Sequence, residues 1–169
     1  MQYAAFASQT FDNMLGTLDH LLAKAIESDM SDTVLEARLA DDMFPLELQF
    51  RVAINQALLA LQQVGIKDVP LEEESYASLA EVRDRVAAVR ARVAESNLAD
   101  WSPATGEVDL TLPNGVRFVM SAEEDIRDWI LPNFYFHMTL AYALLRREGL
   151  EIGKMDFLPH MERHMVRAT

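Results

Sequence analysis

The chain has 169 residues, 50% of them hydrophobic, which suits one domain with a sizeable core better than two. Its formal charge of -12, from 15 Lys and Arg against 27 Asp and Glu, gives an average field that repels phosphate backbones and anionic lipid surfaces. Neither nucleic acid nor a membrane is therefore expected as a partner, and the absence of Cys excludes disulfides, thiolate metal sites and cysteine nucleophiles.

No apolar run approaches the length of a membrane span, and the opening MQYAAFASQTFDN lacks the basic and continuous apolar regions of a signal peptide. A cytoplasmic protein is expected. Phe11, Leu15, Leu18, Leu22 and Ala25 step by four and three, which predicts a helix over residues 10–28 whose start could lie earlier, with Thr10 or Ser8 as cap and Lys24 at its cation-favouring end. The polar stretch that follows carries Leu35 and Leu39, the marks of a short amphipathic turn.

A second helix is predicted from Pro45 to Val64, with Asp41 and Asp42 before its positive end and Gly65 as its stop. Leu46, Phe50, Ala53, Ala57, Leu58 and Leu61 form its apolar face. After a loop over 66–74, whose Glu72, Glu73 and Glu74 read as a solvated charge run, Leu79, Val82, Val86, Val89 and Val93 predict a third helix. Ser75 or Ser78 would cap it, Ser78 with Glu81 at capping-box distance, and Glu81 could pair with Arg85 one turn on.

Between Glu107 and Met120 the period changes to alternation. A three-residue Pro113-Asn114-Gly115 loop, with Gly115 at positive φ, would pair Leu112 with Val116 and Leu110 with Phe118 on one apolar face. The last long helix is predicted over 122–148, capped by Ser121 with Glu124, and Pro132 predicts a kink or break near Leu131. Gly149 ends it, and a tail over 159–169 holds a short candidate helix at 159–167. The elements add up to an all-α four-helix bundle over 1–158, with a small β-hairpin before the last helix.

Three segments, FDNMLGTLDHLLAKA, ARLADDMFPLELQFRVA and LPNFYFHMTLAYALLRREGLEIGKMDFL, resemble the DinB/YfiT-like metalloenzyme superfamily, in a branch known only as a domain of unknown function. The resemblance spans Phe6 to Leu158 and implies an up-down-down-up bundle, often dimeric. It also implies a divalent metal on three His, one early in the second helix and two on the last, and in some members transfer of low-molecular-weight thiols.

This chain departs from that pattern. His137 is the only His of the last bundle helix, with Asn133 and Ala141 four residues before and after it, and the second helix opens with Glu47 and Gln49. Three imidazoles cannot be assembled at the matching positions. His137, Glu47 and Gln49 remain a candidate zinc or nickel set, with His20 on the first helix as another co-ligand. Without a metal, His137 is a core histidine with satisfied ring nitrogens, or a general base or ligand-binding group in a bundle cavity.

Asn133 follows Pro132 and could satisfy backbone groups freed there, while Tyr135, Thr139, Tyr142 and Arg146 make a polar stripe suited to a ligand or to a helix interface. His160 and His164 are spaced i, i+4, but HMERH is not HExxH, so the zincin mechanism has no support. Asp41, Asp42 and Glu47 lack the spacing of a calcium loop, and no phosphate loop or serine nucleophile elbow appears. The leading expectation is a homodimeric small-molecule-binding or interaction module without a resident cofactor. The alternative is a divalent-metal-dependent transferase or hydrolase using His137.

Overall fold

The computed structural model describes residues 2–65 and 68–166. The first residues of the 66–74 loop and the last three of the 159–169 tail, including the end of the expected 159–167 helix, lie outside the described residues. Helix α1 runs Gln2–Glu27, earlier than its predicted start, because Ala4 and Ala7 continue the buried spacing of Phe11 toward the N-terminus. Thr10 and Ser8 therefore lie inside the helix and do not cap it. A 3-10 turn, Asp32–Glu36, follows; Ser31 caps it and Leu35 is buried, whereas Leu39 is exposed.

Helix α2, Leu46–Gln63, starts immediately after Pro45, and all six predicted apolar positions are buried. Gly65 allows a close pass of the chain, since a Cβ there would stand 2.8 Å from the Leu61 carbonyl oxygen. Helix α3, Leu79–Glu95, is capped by Ser78, which accepts from the Glu81 N–H at 3.1 Å, and buries its Leu79 and four Val. Two expectations fail here. Arg85 pairs with Glu72 and not with Glu81, whose carboxylate instead takes the Ala77 N–H at 2.7 Å; Glu72 is thus drawn out of the supposed solvated run.

Strands β1, Glu107–Thr111, and β2, Arg117–Ser121, pair antiparallel with Leu110 opposite Phe118 and Val108 opposite Met120. The Leu112 N–H donates to Val116 O at 2.8 Å, and Gly115 has φ +84. This is the three-residue loop that the apolar alternation requires. Helix α4, Ala122–Glu124, opens with the Ser121–Glu124 capping box and leads through a π-helical turn, Asp125–Ile130, into α5, Leu131–Arg147.

The helix does not break at Leu131, contrary to one expectation for Pro132. The wider π turn, in which the Leu131 N–H reaches back to Ile126 O, accommodates a residue that lacks an N–H, and Asn133 Nδ2 donates to Trp129 O at 2.7 Å. After α5 a short helix α6, Lys154–Phe157, and a 3-10 turn, Pro159–His164, lie along α1.

Named pairs give the helix directions. Arg90 meets Asp12 and Arg83 meets Asp19, both at 2.7 Å, so α3 runs antiparallel to α1. Gln49 meets His137 and Gln63 meets Asp125, so α2 runs antiparallel to the last helical region. Tyr3 and Phe6 share a cleft with Ile126 and Leu131, and further along Phe11 packs edge-on against Phe134 at 5.2 Å, so α5 runs parallel to α1. The order is up-down-down-up. The core lies between the four long helices, where Phe11, Phe50 and Phe134 are wholly buried.

Candidate functional site

His137 sits on the α2-facing side of α5, buried at 8% exposure. Its Nδ1 lies 2.7 Å from Gln49 Oε1. Gln49 Nε2 donates to the Phe44 carbonyl at 3.0 Å, and because that carbonyl can only accept, the amide orientation is set. Gln49 therefore presents its oxygen to the ring, and Nδ1 carries the proton. Nε2 keeps its lone pair and makes no hydrogen bond among the described residues. Burial pushes the imidazole down to about 4, so it is neutral at pH 7.

Two half-exposed aromatics flank the ring. Phe44 lies nearly parallel to it, 14° between planes with centroids 6.4 Å apart, and Phe136 meets it edge-on at 5.1 Å. A neutral acceptor between apolar faces can receive a hydrogen bond from a ligand N–H or O–H, or act as a weak base.

The other candidates are not brought together around it. Glu47 is two residues from Gln49 and so faces another side of α2, where its carboxylate takes Arg51 Nε at 2.9 Å and the Tyr76 N–H at 3.2 Å. Asn133 is turned to the Trp129 carbonyl. His20 donates to Asp156 Oδ1 at 3.0 Å, and Lys24 reaches the same oxygen at 2.9 Å. Burial alone would raise the Asp156 carboxyl, but hydrogen bonds from the Gly153 N–H, His20 and Lys24 outweigh it and hold the group well below the usual carboxylate range.

Tyr135 is exposed beside Phe134, and burial of part of its ring raises its phenol. Tyr142 packs on Phe157 at 5.6 Å and accepts from Arg146, whose guanidinium also donates to Ile152 O; both tie the end of α5 to the turn that follows. His164 is exposed and accepts from Arg163 Nε, while His160 is half-buried with its Nδ1 enclosed and unpartnered.

The donor set implied by the superfamily does not fit these residues. Among the described residues, no group of three or more His, Asp or Glu side chains is placed to hold a metal ion. Ala141 has no donor, Gln49 offers its oxygen to Nδ1 rather than to the free Nε2, and Glu47 is committed elsewhere.

A second buried polar pair went unread in the sequence. Asp125, the first residue of the π turn, is fully buried, and burial pushes its carboxyl up to about 6. The Gln63 amide, with Nε2 turned to it, donates to Oδ2 at 2.9 Å and to Oδ1 at 3.3 Å. Gln49, Gln56 and Gln63 recur every seventh residue of α2, which puts them on one stripe; Gln56 is also buried, its Oε1 without a partner. That spacing of polar residues within an apolar helix was the available signal.

The family model for the domain of unknown function DUF1993 matches residues 3–158. Among solved structures, a DinB family member protein from Shewanella denitrificans is 30% identical, with a TM-score of 0.78 over 89% of this chain and 88% of that one. No curated protein matches. Among the described residues, no helix is long and apolar enough to cross a membrane.

Proposed function

Taking as premise that the chain belongs to the DUF1993 family and folds as a DinB-like bundle, we propose that it is a small-molecule-binding module whose ligand docks on His137 without a metal. One observation carries the reading: a neutral imidazole, flanked by the Phe44 and Phe136 rings, whose Nδ1–H is held by Gln49 and whose Nε2 is unbonded among the described residues. The ligand that suits it is partly apolar, to cover the two rings, and carries one N–H or O–H for Nε2.

Homodimerisation and a cytoplasmic location belong to the same proposal. Exposed Tyr135 and Phe136 on α5 and Phe6 on α1 offer apolar area for a second copy.

The test is a fragment screen read by the His137 side-chain nitrogens in NMR, with elemental analysis of untagged protein purified without chelator. The expected result is binding that moves the Nε2 resonance and is lost in His137→Gln, with no stoichiometric metal. One ion per chain that disappears in His137→Gln would overturn it in favour of a metal-dependent transferase or hydrolase.

A further inference from the structure

The π turn holds a buried acid for which the proposed ligand site has no use. Asp125 is fully buried, and no ion pair reaches it among the described residues. From α2 it faces the Gln63 amide; from α1 its charge acts on the Tyr3 phenol, whose hydroxyl donates to Ser102 O at 2.6 Å. The charged residues of its own helical region are engaged in solvent, Glu124 in the Ser121 cap and Arg127 with Asp128, while the exposed Glu123 acts on the Tyr3 phenol. A primary amide can meet a carboxyl in either protonation state, donating through Nε2 or accepting through Oε1.

We propose that Asp125 and Gln63 form a buried proton-binding switch at the contact of α2 with the π turn, in which the amide turns over as the carboxyl gains or loses its proton. In the ionised state Gln63 Nε2–H donates to the carboxylate. On acidification Asp125 takes a proton from solvent, and its new O–H donates to Gln63 Oε1 after a half-turn of the amide. The protonated state removes a buried charge and tightens the turn, which sits between the Ser121 cap of the hairpin and Pro132 at the start of α5. Burial places the carboxyl at about 6, so the two states exchange in mildly acidic solution.

The test compares urea unfolding of the full chain with that of Asp125→Asn at pH 4.5, 6 and 7.5, since Asn keeps the shape and the amide partner but cannot titrate. At pH 7.5 the variant's folded-to-unfolded ratio should exceed the wild type's by about a hundredfold, the linkage equivalent of a shift of about two pH units, and the excess should shrink to about fivefold at pH 4.5. A difference of the same size at every pH would mean a merely structural role and would overturn the switch. Carboxyl-carbon NMR of the wild type supplies a second readout that needs no variant. A midpoint of about 5 or higher, followed by the Gln63 amide resonances, is expected; a lower midpoint, or an amide that does not follow, would sink the proposal.

Discussion

At one end of the α2–α5 contact Gln49 accepts a hydrogen bond from His137, and at the other Gln63 meets Asp125 where α5 is extended by its π turn. The same helix supplies the same side chain to both, yet burial moves one group down to about 4 and the other up to about 6. The low-polarity interior disfavours charge of either sign, so a base loses affinity for its proton and an acid gains it. The surroundings differ too. His137 stands next to half-exposed Phe44 and Phe136 and keeps an unbonded nitrogen, whereas Asp125 is sealed.

The two shifts oppose each other in stability. His137 titrates below its ordinary 6.5, so its contribution is present above that value and is lost as pH falls toward 4. Asp125 titrates above its ordinary 3.8, so its contribution is present below that value and is lost as pH rises through about 6. Over mildly acidic pH the two nearly cancel in the wild type.

Removing one end at a time should expose the slope of the other. His137→Gln should abolish the acid loss, so that relative to it the wild type becomes less stable by about 3 kcal/mol between pH 6.5 and pH 4 in urea unfolding; parallel curves would show that His137 is not buried neutral. The double variant His137→Gln/Asp125→Asn should give a nearly flat profile over that range, because well-separated groups add; a residual slope above about 1 kcal/mol would point to a third titrating group.

Gln49→Leu should cost about 1–3 kcal/mol, since it strands the His137 Nδ1–H, and the imidazole resonances should broaden; an equal cost with unchanged resonances would mean the bond does not hold the ring. Ser121→Ala, which removes the cap just before the Asp125 turn, should cost about 1 kcal/mol and lower amide protection at the π turn while leaving that around His137 unchanged. Equal loss at both ends would show that they open together.

The four long helices were legible because each buries a stripe at three- and four-residue spacing, and the hairpin because Leu110, Leu112, Val116 and Phe118 share a face only in one register. An earlier start of α1 was open in the sequence, but its place was not legible because Ala4 and Ala7 carry little apolar signal although both are fully buried. Glu81 stood at the right distance from Arg85, but Glu72 competed from a loop whose fold the local pattern does not specify. At the candidate site, His137 and Gln49 could be read as partners from their helix positions. Glu47 could be set apart only once Arg51 and the Tyr76 N–H were seen to hold its carboxylate.

What the amino-acid sequence by itself determined was the bundle, its hairpin and the lack of a three-imidazole donor set, since each depends on residue type and spacing along one element. The tertiary structure alone decided which polar groups meet. The Gln49–His137 bond joins residues 88 positions apart, the Asp125 carboxyl is sealed beside Gln63, and the π turn carries the chain past Pro132. Burial and partner choice depend on how α2 and α5 lie against each other, and that contact governs both the free nitrogen of His137 and the titration of Asp125.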